Sequence, residues 1–191
     1  MSKTLILLFH RDIAKSNANA ALAGAASSIE GVEIVDMQSL YGDGEIDMMT
    51  DGELEAQRLL SADRLVLQFP VQWYSTPALL KTWQDAVLTR MFYIMNAVEG
   101  AKFSGTPLMV AATAGNTPEA YSPSGQNFFT LDEILTPLKA TAHRCGLPWN
   151  HPYIVYRADK LPVEDLKLAA NGYREALQRF ITATPIKKMA G

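Results

Sequence analysis

Segment 65–83 limits the possible folds more than any other part of the chain. Residues 65–69 form an apolar run of the length expected for a buried strand, and Pro70 is expected to end it. Apolar residues then recur at helical spacing, with Thr76 as the predicted N-cap and Pro77 as the first helical residue. We therefore predict a strand, a loop and a helix, which is the repeating unit of an α/β sheet.

Two adjacent large aromatic residues, Trp73 and Tyr74, lie in the loop of this unit. In an open α/β sheet, ligands bind at the loops that leave the carboxyl ends of the strands. A flat ligand stacked on this loop would bury both side chains, and the backbone N–H groups of the loop would face its polar edge. Aromatic residues are also enriched at subunit interfaces, so the covering of a core or an interface explains the same pair equally well.

Apolar runs and helical patterns alternate along the chain, which is typical of a parallel sheet with helices on both faces. We therefore predict a flavodoxin-like three-layer α/β sandwich whose five-stranded parallel sheet has the order 2-1-3-4-5. Residues 1–191 are expected to form this one domain. The predicted strands are 5–9, 32–37, 63–69, 107–112 and 149–156, the helices are 18–29, 53–60, 76–88, 131–144 and 163–181, the irregular segments are 38–50 and 89–104, and 187–191 is expected to be frayed.

Charge and cysteine content exclude several classes of function. The formal net charge of -3 argues against a nucleic-acid partner. A single cysteine, Cys145, excludes an intramolecular disulfide and a multi-cysteine metal site, and we interpret it as a small core residue. The first apolar run is shorter than a signal-peptide core or a membrane span. We therefore expect a cytoplasmic protein with no metal site.

The loop after the first strand carries polar residues directly before a predicted helix. His10 ends the strand, and Lys15, Ser16, Asn17 and Asn19 lie around the start of the helix. Free backbone N–H groups and the helix dipole favour an anion at such a place, and Ser16 and Asn19 add side-chain donors. Helix capping by Ser16 or Asn17, with His10 as an ordinary strand-end residue, explains the same pattern.

The loop after the fourth strand begins with the small residues Thr113, Ala114 and Gly115, which allow the backbone to approach a planar ligand. An ordinary tight loop is an equal explanation. Asp36, at the end of the second strand, is either a ligand contact or a solvated strand end. The loops after strands one, three and four gather at one sheet edge. Together they indicate a phosphate at one end of a site and a flat heterocycle in the middle, which is the shape of flavin mononucleotide (FMN).

Residues 69–74, followed by 77–83, resemble the flavodoxin-like NAD(P)H:quinone oxidoreductases. That family includes DT-diaphorase, the modulators of drug activity and the ancillary oxidoreductases of glutathione-gated potassium efflux systems. The strand-end histidine with residues 16–19, and residues 137–149, are similar to the same family. The resemblance extends from about residue 5 to residue 149 and is most specific around Trp73.

The resemblance implies a homodimer with a bound flavin that reduces quinones by two electrons from NAD(P)H in a ping-pong hydride transfer. The sequence shows no evident site for the adenine half of FAD, so we expect FMN rather than FAD. The residues that would hold the phosphate are His10, Ser16, Asn17, Ala18 and Asn19. Those that would line the two edges of the flavin ring are Pro70, Val71, Gln72, Trp73 and Tyr74 on one side, and Thr113, Ala114 and Gly115 on the other. The implied catalytic residue is Tyr121, beside the face where nicotinamide and quinone would bind in turn.

Two departures from the family pattern concern the acceptor side of the site. Ala114 stands where relatives often have glycine, and no histidine follows Tyr121, so a proton would come from Tyr121 or water. The alternative function is that of a regulatory flavoprotein bound to a membrane transporter of the potassium efflux type. The apolar helix 76–88 and the following Phe92, Tyr93 and Met95 are expected to contact a partner subunit or to cover the same chain.

Overall fold

The computed structural model describes residues 2–184. Five parallel strands form one sheet of order β2-β1-β3-β4-β5, so the predicted flavodoxin-like topology is confirmed. The strands are β1 (Thr4–Leu8), β2 (Val32–Asp36), β3 (Arg64–Pro70), β4 (Leu108–Thr113) and β5 (Tyr153–Val155). The α-helices are α1 (Asn17–Ala26), α2 (Met37–Leu40), α3 (Asp51–Leu60), α4 (Ala78–Trp83), α5 (Gly100–Phe103), α6 (Leu131–Ile134), α7 (Thr136–Arg144) and α8 (Val163–Ala183).

The three central strands β1, β3 and β4 are buried on both faces, and this explains their nearly continuous apolar sequences. Successive side chains point to opposite faces of the sheet, so each strand contributes to two cores. One core packs the sheet against α3, α4 and α7, with Trp83 of α4 meeting Phe9 edge-on at a ring separation of 5.9 Å. The other core packs it against α1 and α8 through Leu22, Tyr173 and Leu177.

Residues 89–94 and 100–103 are helical, so the prediction that segment 89–104 is irregular was wrong for these parts and holds for the turn 95–99 between them. The α4 helix continues as two π-helical stretches, Gln84–Leu88 and Arg90–Ile94, and α5 follows. The buried Arg90 guanidinium pairs with the Glu99 carboxylate at 3.0 Å and donates to the carbonyl oxygen of Met49 at 2.9 Å. This tertiary ion pair fixes the segment, and local sequence periodicity does not reveal it.

Two further predicted elements are interrupted by prolines. The expected helix 131–144 divides into α6 and α7, with Pro137 in the first turn of α7. The expected strand 149–156 is reduced to β5, and only an isolated bridge joins Trp149 to Leu108. Proline has no backbone N–H, so Pro152 cannot extend the ladder and Pro137 marks a helix start.

Capping differs from the expectation at two helices. Asp36 is the N-cap of α2, and its carboxylate accepts from the N–H groups of Gln38 at 3.1 Å and Ser39 at 3.4 Å. The segment 38–50 therefore begins with a helical turn, and Asp36 has a structural role. Thr76 is not the N-cap of α4, because Pro77 occupies that position without a side-chain cap.

Within residues 2–184, no helix is both long and apolar enough to cross a membrane. Cys145 is buried, as expected for a core residue. The tail 187–191, which was expected to be frayed, lies outside the described residues.

Replacement of Arg90 by alanine is expected to lower the free energy of unfolding by about 3 kcal/mol, because it leaves the buried Glu99 carboxylate without its partner. Urea denaturation of the purified variant measures this change. Lys81→Ala is the matched control, since it removes the solvent-exposed ion pair with Asp85 and should change stability by less than about 0.5 kcal/mol. Similar effects of the two variants would contradict the structural role of Arg90.

Candidate functional site

A cleft of about 640 Å³ opens at the carboxyl edge of the sheet, and its volume is typical of a small-molecule site. The loops after β1, β3, β4 and β5 supply its walls. Seven of the residues singled out by sequence line it, namely His10, Pro70, Val71, Gln72, Thr113, Ala114 and Gly115. The other seven lie outside its walls, namely Ser16, Asn17, Ala18, Asn19, Trp73, Tyr74 and Tyr121.

His10 faces the cleft as a hydrogen-bond donor. Its Nδ1 accepts from the backbone N–H of Asp12 at 3.1 Å, so in the neutral ring the hydrogen is on Nε2. Burial lowers the pKa of His10, and the ring is therefore neutral at pH 7. Beside it, the Lys15 ammonium pairs with the Asp12 carboxylate at 2.7 Å. The imidazole can thus donate to an anion without carrying a charge itself.

The amino end of α1 provides unpaired backbone donors. The Ser16 hydroxyl is the N-cap and accepts from the N–H of Asn19 at 3.1 Å. The N–H groups of Asn17 and Ala18 meet no acceptor within the described part of the chain. Together with the helix dipole, these two groups can bind an anion.

Asn19 does not present its side chain to an anion, contrary to the sequence expectation. The residue is buried, and its Nδ2 donates to the hydroxyl oxygen of Thr113 in β4 at 3.0 Å. Its position one helical turn into α1 directs it towards the sheet. The side chain therefore joins the first turn of α1 to the end of β4.

The two aromatic residues occupy the centre of a tight turn. Gln72 and Ser75 close it through two backbone hydrogen bonds of 2.9 and 3.0 Å. Trp73 and Tyr74 have φ values of 45° and 62°, a pair of positive values that normally requires Asn-Gly or Gly-Gly. Such a conformation costs about 1–3 kcal/mol for each non-glycine residue.

The Trp73 side chain is 93% exposed and that of Tyr74 is half exposed, so burial does not offset the strain of the turn. Among residues 2–184, no acceptor meets the backbone N–H of either residue. The N–H groups of Val71 and Gln72 are already used, by Thr113 O and Ser75 O. The two strained residues of this loop therefore both offer free backbone donors.

The loop after β4 offers a free backbone donor at Gly115. The carbonyl oxygen of Thr113 accepts from Val71, and the N–H of Ala114 donates to Val155 O at 2.8 Å. Within the described residues the N–H of Gly115 has no acceptor. A Cβ at Gly115 would lie 3.0 Å from an Asp159 carboxylate oxygen, and a small shift of that side chain would relieve the contact.

Sequence reasoning missed the loop after β5, which closes one side of the cleft. Ala158 and Asp159 line the cleft, and the N–H of Ala158 donates to Ala114 O at 3.0 Å. Arg157 has a φ of 55° and donates through its backbone N–H to Asn116 O. The rule that strand carboxyl ends carry ligand sites applies to β5 as well and would have found this loop.

Tyr121 lies beyond the cleft, on the side of the aromatic turn. Its ring is 5.8 Å from that of Tyr156. Burial raises the pKa of Tyr121, and the neighbouring Tyr74 and Tyr156 raise it further, so the phenol is protonated at neutral pH. Tyr74 also donates from its hydroxyl to the Asn127 amide oxygen at 3.3 Å.

The family model for the flavodoxin-like fold matches residues 2–180. The chain belongs to this family. Within residues 2–184, no three histidine, cysteine, aspartate or glutamate side chains group as a metal site would require.

Two relatives and one solved structure are similar to this chain over most of its length. The chain is 35% identical over 171 residues to the uncharacterized NAD(P)H oxidoreductase YdeQ of Bacillus subtilis (strain 168), with 90% of this chain and 84% of that protein covered. It is also 35% identical to KefG of Pectobacterium carotovorum subsp. carotovorum (strain PC1), an ancillary protein of a glutathione-regulated potassium-efflux system, with 92% of each covered. General stress protein 14 of Treponema denticola, solved in complex with FMN, superposes with a TM-score of 0.80 at 26% identity, covering 92% of this chain and 98% of that one.

The double substitution Trp73→Asn with Tyr74→Gly is expected to raise the free energy of unfolding by about 1 kcal/mol. Asn-Gly adopts the positive φ values of this turn without the strain that the two aromatics carry, and neither aromatic side chain fills the core. Thermal or urea denaturation measures the change. A loss of stability would show that the aromatics contribute to folding.

Proposed function

We propose that this protein is an FMN-dependent NAD(P)H oxidoreductase that reduces quinones or similar acceptors by two electrons. The observation that carries the proposal is the strained turn that exposes Trp73 and Tyr74 beside the cleft. Strain of this kind persists at ligand sites, where binding uses the strained geometry. The related NAD(P)H oxidoreductase YdeQ supports the reaction class, and the FMN complex of general stress protein 14 supports the cofactor.

The residues present fit FMN at both ends of the cleft. At one end, the free N–H groups of Asn17 and Ala18, with Ser16 and His10 Nε2–H, would hold the phosphate. At the other end, a flat ring system would cover the exposed Trp73 and Tyr74, while the Gly115 N–H would meet its opposite edge. When bound, FMN supplies the capacity to take a hydride from NAD(P)H and pass it to an acceptor.

The protein's own groups favour negative charge near the cleft. The unpaired N–H groups of Trp73, Tyr74 and Gly115 are fixed donors, and fixed donors stabilise developing charge without reorganisation. The Tyr121 phenol, whose pKa is raised by burial, holds a proton at neutral pH next to the aromatic turn. NAD(P)H and the acceptor would bind in turn on this side. Because no histidine follows Tyr121 in the sequence, Tyr121 itself would supply the proton.

We also propose a homodimer. Large apolar side chains are exposed on the second π-helical stretch, on the turn that follows it, and on the loop before α6, namely Tyr93, Ile94, Val98, Phe128 and Phe129. Exposed apolar surface of this extent is typical of an interface, and a second copy of the chain would cover it. The proposal includes one flavin-binding domain over residues 1–191 and a cytoplasmic location, which the lone cysteine suits.

A regulatory role is the second candidate, and the similarity to KefG favours it. In this case the protein would bind FMN and contact a potassium-efflux transporter, with its redox activity secondary.

We expect the purified protein to show a flavin absorbance spectrum, to release FMN on denaturation and to bleach when NADH or NADPH is added under nitrogen. Addition of a quinone should restore the spectrum, because the acceptor reoxidises the protein. A protein that holds FMN but is not bleached would favour the regulatory role. A colourless protein that takes up neither FMN nor FAD would contradict both candidates.

Light scattering is expected to give twice the chain mass of 21.0 kDa, since a second copy would cover the exposed aromatic surface. The variant Tyr93→Glu, which places a charge on that surface, should shift the protein towards the monomer. Glu164→Lys is a matched control on the exposed start of α8 and should leave the mass unchanged. A wild-type monomer would refute the dimer and leave the cofactor proposal standing.

A further inference from the structure

A chain of buried hydrogen bonds runs along the face of the sheet that α1 and α8 cover, and it ends at the cleft. The Tyr173 hydroxyl in α8 donates to Gln68 Oε1 in β3 at 3.3 Å, and Gln68 Nε2 donates to the carbonyl oxygen of Asn19 at 2.9 Å. Asn19 Nδ2 then donates to Thr113 Oγ1 at 3.0 Å. All four residues are buried, and Thr113 is the one that lines the cleft.

The bond between Asn19 and Thr113 leaves two groups unused. Asn19 Oδ1 is buried and has no partner within residues 2–184, so this side chain is not fully satisfied by its structural contacts. The Thr113 hydroxyl accepts from Asn19, and its own hydrogen meets no acceptor among the described residues. Buried polar groups are normally paired, because an unpaired one costs free energy.

The direction of this bond determines what Thr113 can do in the cleft. A hydroxyl has one hydrogen to donate, and an amide N–H that points at its oxygen from the interior occupies a lone pair on that side. The hydrogen is then left for a partner on the other side, where the cleft lies. If a hydrogen-bond acceptor stood in place of the Asn19 amide N–H, the Thr113 hydroxyl would donate its hydrogen to that acceptor. No hydroxyl donor would then remain for the cleft.

We infer that Asn19 is a positioning residue that holds the Thr113 hydroxyl as a hydrogen-bond donor towards an acceptor atom of the bound cofactor. The inference rests on the proposed function, because it takes FMN as the ligand of the cleft. It replaces the role expected from sequence, in which Asn19 would contact the phosphate directly. Asn19 acts on FMN only through Thr113, so the two residues are coupled in binding.

A double-mutant cycle on the full-length protein tests this coupling, with the dissociation constant for FMN measured by fluorescence quenching. We expect Thr113→Val to raise the FMN dissociation constant about five- to tenfold, because one hydrogen bond is lost. The constant of Thr113→Ser should remain close to that of the wild type, because serine keeps the hydroxyl. Asn19→Leu should raise it several-fold. The double variant Asn19→Leu with Thr113→Val should bind no more weakly than Thr113→Val alone.

The visible absorption band of bound FMN gives a second measurement, and it should shift in the same direction in Asn19→Leu as in Thr113→Val. Tyr173→Phe is the control for a purely structural effect, because it removes the bond at the far end of the chain. We expect it to lower the melting temperature and to leave the FMN dissociation constant within about twofold of the wild type.

Several outcomes would overturn the inference. Additive effects of the Asn19 and Thr113 substitutions would show that Asn19 acts on FMN independently, and an unchanged dissociation constant in Asn19→Leu would show a structural role alone. If Asn19→Leu does not fold, Asn19→Asp replaces the donor by an acceptor of the same shape, and the same non-additivity is expected. Wild-type protein that does not bind FMN would refute the proposed cofactor and the inference together, whereas normal wild-type binding with additive variants would refute the inference alone.

Discussion

The burial of both faces of the central strands is the constraint on which this structure depends. Because β1, β3 and β4 are covered by helices on either side, their polar backbone is satisfied only by neighbouring strands, and the sheet is parallel throughout. Each strand must then return across a helix, so all the loops that follow strands lie at one edge. The cleft is the consequence of this topology, and its chemistry is set by a few residues in those loops.

The site is formed mainly by backbone groups, and backbone pairing within and between the loops controls which of those groups remain free. The hydrogen bonds of Val71, Gln72 and Ala114 consume three N–H groups, whereas those of Trp73, Tyr74 and Gly115 stay free. Donors of this kind cannot be read from residue type. They follow from the way in which neighbouring loops pair with one another, as Ala158 does with Ala114.

Sequence reasoning predicted the topology because continuous apolar runs and helical periodicity report directly on burial. It also predicted correctly that His10, Gln72 and Gly115 lie at one edge of the sheet. It failed where a distant contact decided the structure. The ion pair between Arg90 and Glu99 organises a segment without a clear local pattern, and the Asn19 side chain of α1 bonds to a threonine in β4. The positive φ values at Trp73 oppose local preference, so no propensity could have predicted them.

The aromatic turn has a consequence for how such proteins diversify. Gln72 and Ser75 close it by their own backbone hydrogen bonds, and its two central side chains take no part in the core. The core therefore does not require aromatic side chains at these positions, and replacement by glycine or asparagine would relieve the backbone. Selection must therefore act on the ligand contacts of these aromatics if they are to be retained. Where that selection is relaxed, smaller residues at the turn would leave room in the proposed site for acceptors of other shapes.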